Sequence, residues 1–169
     1  MTIEVRAMLP GDLDAVMAIL KHWNLAPIAP SVASPYPERT ELLVENALVA
    51  VDGDRVVGVR SYIPLSPTVV EGASFAVAPD CLRLGIGRKL QVAAYRQMYQ
   101  RGIRAIRSET DRPEHVQWLV RRGHRVVRTT SKRHAFGLAE VDHWTVLEFD
   151  FSMLPELEDL RRAAGDDHA

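Results

Sequence analysis

The residues best placed to do chemistry lie in the run Phe75-Ala76-Val77-Ala78-Pro79-Asp80-Cys81-Leu82-Arg83-Leu84-Gly85-Ile86-Gly87-Arg88-Lys89-Leu90. A β-rich segment gives way to a turn and then to helical periodicity, so Gly85 and Gly87 fall at a helix N-terminus. The unpaired N–H groups and the dipole of a helix start favour an anion there. Two glycines let a phosphate approach the backbone closely, and Arg83, Arg88 and Lys89 add positive charge. The third Gly of the dinucleotide fingerprint is missing, and no Gly-Lys-Ser/Thr follows as in a Walker loop.

Carboxylates are the second resource. Glu71 precedes the Gly turn on the same strand, and period-two alternation puts it on one face with Ala73, Phe75 and Val77. A carboxylate on an otherwise apolar face is expected to hold its proton more tightly than usual. Glu109 and Asp111, after the next strand, compete with it, and each could instead be a solvated or salt-bridged acid among the many arginines. The six histidines show no ligand pairing and no cysteine cluster supports them, so no metal site is expected. His115 reads as a surface histidine and His124 as structural. Cys81, the single cysteine, reads as a buried or incidental thiol.

These residues need a frame, and 169 residues suffice for one domain over 1–169 with a frayed tail at about 165–169. Hydrophobic residues make up 47% and charged residues 25%, the balance of a soluble globular chain rather than a disordered or fibrous one. No apolar run is long enough for a membrane span, the N-terminus does not read as a signal peptide, and one cysteine gives no internal disulfide. A cytoplasmic location is the expectation.

The net charge of −1 is uneven: residues 101–133 carry +7 and residues 134–169 carry −7. Trp118 is the lone aromatic in the basic block, so no base-stacking ladder supports a nucleic-acid partner. Mutual neutralisation of neighbouring strands is the favoured reading. The pattern predicts strands at Ile3–Val5, Ala47–Val51, Arg55–Ile63, Thr68–Val77, Ile103–Ser108, His124–Thr130 and Trp144–Phe151. It predicts helices after Pro10, over Glu38–Asn46, Ile86–Arg101, from Pro113 towards Gly123, and from Pro155. The Pro-rich stretch His22–Pro37 reads as a long loop. The fold class is therefore mixed α/β, with hairpins as well as helix crossovers and helices on both sheet faces.

In this element order, over residues 75–90, and again at Trp118-Leu119-Val120-Arg121-Arg122-Gly123-His124, the chain resembles the GNAT superfamily of acetyl-CoA-dependent N-acetyltransferases. The resemblance implies a mostly antiparallel sheet of six or seven strands. It implies that the backbone of Arg83, Leu84, Gly85, Ile86, Gly87 and Arg88 holds the pyrophosphate of coenzyme A, and that Phe75, Ala76 and Val77 pair with the pantetheine arm. The implied reaction moves an acetyl group from acetyl-CoA, as co-substrate, to an amine of a small molecule or peptide. An alkyl amine is only about one part in a thousand neutral at pH 7.4, so a general base is needed. A branch of the family carries its catalytic Glu fourteen residues before the first Gly, which is Glu71 here, with Glu109 as the second candidate. The family's usual Gln or Arg three residues before Gly85 is Leu82, with Arg83 beside it. Its usual Tyr acid is Leu119, and its usual Asn is Arg112. These departures raise a rival reading, a catalytically weak or inactive acyl-CoA-binding regulatory module. The acceptor is expected against loop 22–37 and the segment Lys132–His143. Trp23 and Tyr36, with Phe136 and Trp144, favour an apolar or aromatic acceptor, while Glu140 and Asp142 keep a cationic one open. The resemblance is compatible with a homodimer.

Overall fold

The computed structural model describes residues 1–27, 42–132 and 137–151. Among the described residues seven strands form one sheet: β1 (Ile3–Ala7), β2 (Ala47–Asp52), β3 (Arg55–Pro64), β4 (Val69–Val77), β5 (Ala105–Thr110), β6 (Arg125–Ser131) and β7 (His143–Asp150). Their spatial order is β1-β2-β3-β4-β5-β7-β6. Every neighbouring pair is antiparallel except β4 and β5. The helices are α1 (Leu13–His22), α2 (Ile86–Gln100) and α3 (Pro113–Val120). Among the described residues no helix is long and apolar enough to cross a membrane.

Most elements form where the pattern puts them, with ends displaced by a residue or two. The expected helix over Glu38–Asn46 is a correction: residues 42–46 hold only a 3-10 turn at Val44–Asn46, and the remainder lies outside the described residues. So do Tyr36, Phe136 and the helix expected after Pro155. The opposed charge blocks do meet where they are described. Glu148 on β7 pairs with Arg107 on β5 at 3.4 Å and with Arg125 on β6 at 3.7 Å.

The two faces of the sheet can be told apart residue by residue. A Cβ at Gly58 would stand 2.9 Å from Leu90 of α2, and the Tyr62 hydroxyl donates to Gln97 of α2 at 2.7 Å. Gly58, Arg60 and Tyr62 therefore face α2. Val57 and Val59 point the other way and are fully buried, on the face that α1 covers against β3 and β4.

Cross-strand partners share a face, so the β3–β4 register assigns β4. Val77 opposite Gly58, Phe75 opposite Arg60 and Gly72 opposite Tyr62 lie on the α2 face. Ala76 opposite Val59 and Glu71 opposite Ile63 lie on the α1 face. β4 advances by three residues, from Gly72 to Phe75, where β3 advances by only two, from Tyr62 to Arg60, which is a bulge. This corrects the period-two reading. Glu71 does not share a face with Phe75 and Val77, because the extra residue inverts the alternation between them. Gly72, an isolated glycine inside a strand, was the available signal.

The second irregularity lies on the other side of β4. Its parallel pairing with β5 covers only Val69–Glu71 against Ala105–Arg107. Beyond that point β4 runs on to Val77 and β5 to Thr110 without pairing to each other. The sheet therefore opens into a cleft whose apex is at Glu71, Gly72 and Arg107.

Candidate functional site

A cavity of about 900 Å³ occupies this cleft. It is lined by β4 from Glu71 to Val77, the turn before α2, the end of β5, and α3. The turn is shaped by two residues with positive φ, Arg83 (64°) and Gly85 (75°). Gly85 is the N-cap of α2 in the left-handed region, where a side chain would be strained. The first helical bond at this end runs from the Lys89 N–H to the Gly85 carbonyl, 3.1 Å. Helix geometry then leaves the N–H groups of Ile86, Gly87 and Arg88 without intrahelical acceptors at the mouth of the cavity. Of the expected binding residues, Phe75, Ala76, Val77, Arg83, Gly85, Gly87 and Arg88 line the cavity. The Ile86 side chain is instead packed in the core and that of Leu84 is exposed, so these two can contribute only backbone.

The β4 edge is also selective. The Ala78 N–H donates to the Val57 carbonyl at 2.8 Å. By alternation Ala76 turns its backbone groups to β3, while Phe75 and Val77 turn theirs into the cleft. The indole N–H of Trp23 confirms this direction by donating to the Val77 carbonyl at 2.9 Å. Trp23 thus reaches the cavity wall, with the Arg112 guanidinium 5.3 Å from its ring centroid.

Glu71 and Glu109, considered as rivals in the sequence, come together. Glu71 pairs with Arg107 across the last rung of the β4–β5 ladder. Glu109 follows two residues on, so both acids lie on the α1 face and both line the cavity. Burial, followed by the nearby Glu109 charge, pushes the Glu71 carboxyl above its ordinary range, and Arg107 opposes the shift. Asp111 is removed from contention. It forms a buried pair with Lys132 at 2.8 Å, the two side chains being 5% and 6% exposed, and it accepts the Leu138 N–H.

The α2 face of the cavity holds different chemistry. The Gln91 amide donates to the Tyr95 hydroxyl (2.7 Å), which meets His124 Nε2 (2.8 Å), while His124 Nδ1 meets the Leu119 carbonyl (3.1 Å). A carbonyl only accepts, so Nδ1 carries the proton, Nε2 accepts from Tyr95, and the ring is neutral. Burial agrees, drawing His124 down to about 3 and His115 to about 4. His124 is structural, as expected. His115 is not a surface residue: it lines the cavity beside the Phe75 ring, at 5.9 Å between centroids. Leu119 is buried on the same wall.

Sequence reading passed over two residues here. Gln91 lines the cavity with its Oε1 buried and without a donor among the described residues. Arg60 lines it too and is 4% exposed. Its signal was present in Val56-Val57-Gly58-Val59-Arg60-Ser61-Tyr62, a strand buried on both faces that contains one charge.

Comparison with known proteins follows the same lines. The profile of the acetyltransferase (GNAT) family matches residues 16–119. Among solved structures, Ard1 from Thermoplasma volcanium superposes with a TM-score of 0.69 at 18% identity, covering 89% of this chain and 98% of that one. The ribosomal-protein-S18-alanine N-acetyltransferase from Escherichia coli gives 0.67 at 14% identity over 92% and 97%. The structure of yncA, a putative acetyltransferase from Salmonella typhimurium, with its cofactor acetyl-CoA gives 0.66 at 17% identity over 89% and 95%. These show a shared fold. A curated serine protease of Mycobacterium tuberculosis is 34% identical over 79 residues, which is 47% of this chain. The match spans about a fifth of that protease's length (19%).

Proposed function

The chain belongs to the acetyltransferase (GNAT) family, and from that premise we propose that it transfers an acetyl group from acetyl-CoA to a primary amine. The observation that carries the proposal is the partition of the cleft. A helix start with unpaired N–H groups lies on the α2 side of β4, and two neighbouring carboxylates lie on the α1 side.

The residues present suit acetyl-CoA. Free N–H groups at Ile86, Gly87 and Arg88 match a pyrophosphate. The Phe75 backbone and the Val77 N–H offer a strand edge to the pantetheine amides, and the orphan Gln91 Oε1 offers one more acceptor. Acetyl-CoA supplies the activated acetyl group as a thioester. Glu71, from the opposite face, takes the proton that the amine must lose as its nitrogen bonds to the acetyl carbon. Its raised proton affinity suits it to that task near neutral pH. Glu109 sustains that affinity as a neighbouring negative charge. Trp23 walls the acceptor side. Tyr36 is a further acceptor candidate that lies outside the described residues.

The rival reading, an acyl-CoA-binding module without turnover, draws on Leu119, which places an alkyl group where the family usually has a Tyr. His124 is bonded to Tyr95 and to the Leu119 carbonyl, so it is not placed to serve a serine nucleophile. One experiment separates the readings. Thiol release from acetyl-CoA is followed with a panel of amines, alongside thermal melting with acetyl-CoA. Saturating ligand at a hundredfold its Kd should stabilise the protein by about 2.7 kcal/mol. Stabilisation with turnover on at least one amine is the expected result. Stabilisation without turnover on any amine supports the module, and no stabilisation overturns both.

A further inference from the structure

Arg60 is a buried cation with no carboxylate beside it among the described residues. Its Nε has no hydrogen-bond acceptor among the described residues. The groups placed around it are neutral or aromatic: Tyr95, His115, His124 and the Phe75 ring, whose centroid lies 4.9 Å from the guanidinium carbon. The acids of the cavity lie elsewhere. Glu71 and Glu109 occupy the opposite sheet face, Asp111 is bound to Lys132, and Glu114 is exposed beside Arg112. A buried charge without a counter-ion is costly, so its retention calls for an anion that arrives during function.

The position of the guanidinium specifies which anion. A Cβ on Gly72 would stand 2.8 Å from one terminal nitrogen of Arg60 and 3.1 Å from the other. Gly72 is the residue immediately after the last β4–β5 rung. The guanidinium therefore sits at the apex of the cleft, on the α2 face, where a chain laid along β4 from the α2 start would end. In acetyl-CoA the end of that chain is the thioester sulfur. Leu119 on the same wall has no proton to give.

We propose that Arg60 is a catalytic residue that stabilises the departing sulfur of coenzyme A as a thiolate. The proposal rests on the acetyltransferase reading above. The amine nitrogen bonds to the acetyl carbon, and the C–S bond breaks with its electron pair passing to sulfur. The amine proton goes to Glu71 on the other face. The sulfur leaves as an anion beside the guanidinium and takes a proton from water after release. No proton donor is required on α3, which accounts for an alkyl side chain at Leu119.

The test is the binding of coenzyme A itself, compared with desulfo-coenzyme A, by calorimetry from about pH 6 to pH 9.5. A free alkyl thiol titrates near 8.5, and an adjacent cation lowers such a value by about one to three units. Coenzyme A should therefore bind about ten- to two-hundredfold more tightly at the alkaline end than at the acid end, relative to desulfo-coenzyme A. The ultraviolet absorbance of the bound thiolate should rise at correspondingly lower pH. Arg60→Met should abolish that difference and leave desulfo-coenzyme A affinity within about threefold of native, whereas Arg60→Lys should retain part of it. Thermal melting of apo Arg60→Met should equal or exceed that of the native chain, because an apolar side chain replaces an unpaired buried charge. If the two ligands show the same pH dependence in the native protein, or if the difference survives in Arg60→Met, the proposal is overturned. If neither ligand binds, the acetyltransferase reading falls with it.

Discussion

The two faces of the sheet at the cleft carry opposite charge. On the α1 face Glu71 and Glu109 sit close enough for one negative charge to raise the other's hold on its proton. On the α2 face a buried Arg60 stands among histidines whose protons burial has driven off. Elsewhere opposite charges meet in direct hydrogen-bonded pairs. Asp12 takes two bonds from Arg6, at 2.8 and 3.0 Å, and Asp111 takes Lys132. A transfer that moves a proton one way and an electron pair the other gains from that asymmetry, and a structural ion pair would cancel it.

The sharpest way to break the comparison is to neutralise its acidic side. Glu71→Gln keeps the shape and removes the base, so kcat should fall about 10²–10⁴-fold, with acetyl-CoA affinity nearly unchanged. Raising the pH should partly restore the rate, because more amine is then already neutral. A variant with full kcat at pH 7 would move the base elsewhere, and Glu109→Gln is the first alternative to assay.

On the other side, Gly87→Glu tests the anion site that feeds the α2 face. A Cβ there meets only Phe75 and Val77, at 3.6 Å and beyond, so the fold should tolerate it. The new carboxylate would face a phosphate, and calorimetry should show acetyl-CoA binding weakened by about tenfold to a hundredfold, far more than in Leu82→Ala. Unchanged affinity would misplace the phosphate site.

The stability of the two faces should titrate with opposite sign. His115 and His124 are held below their ordinary value, to about 4 and about 3. Their contribution is therefore fully present above about pH 6.5 and is lost as pH falls through about 4 and 3. Each histidine contributes a slope of up to about 1.4 kcal/mol per pH unit within that window. Glu71, held high, works the other way: its contribution is lost as pH rises above the ordinary carboxylate value. Denaturant midpoints across this range should fall on acidification below pH 6.5. That slope should flatten in His124→Gln, and an unchanged slope would show that the histidine face is not what titrates.

The smallest effect isolates the coupling between the acids. Glu109→Gln removes the charge that raises Glu71, so the acid limb of the kcat/KM profile should move to lower pH while the maximum rate changes little. An unmoved limb would uncouple the two carboxylates.

Much of this frame is legible in one dimension. The alternation of β2 and β3, the helical stripe of α2 and the Gly85–Gly87 turn are local signals. They depend on propensity and periodicity within a few residues, and the order of elements follows from them. The strand-to-glycine-turn sequence likewise placed Gly85 and Gly87 at the start of a helix, as the structure has them. What the sequence could not decide was facing. A single extra residue at Gly72–Phe75 turns Glu71 to the face opposite Phe75 and Val77, and alternation counted along one strand cannot see a bulge that its partner strand defines. Likewise, the company of Glu109 beside Glu71, the isolation of Arg60 and the capture of Asp111 by Lys132 are relations between segments far apart in the chain. Only the packed sheet, where β4 leaves β5 after three rungs, brings those charges within range of one another or keeps them apart.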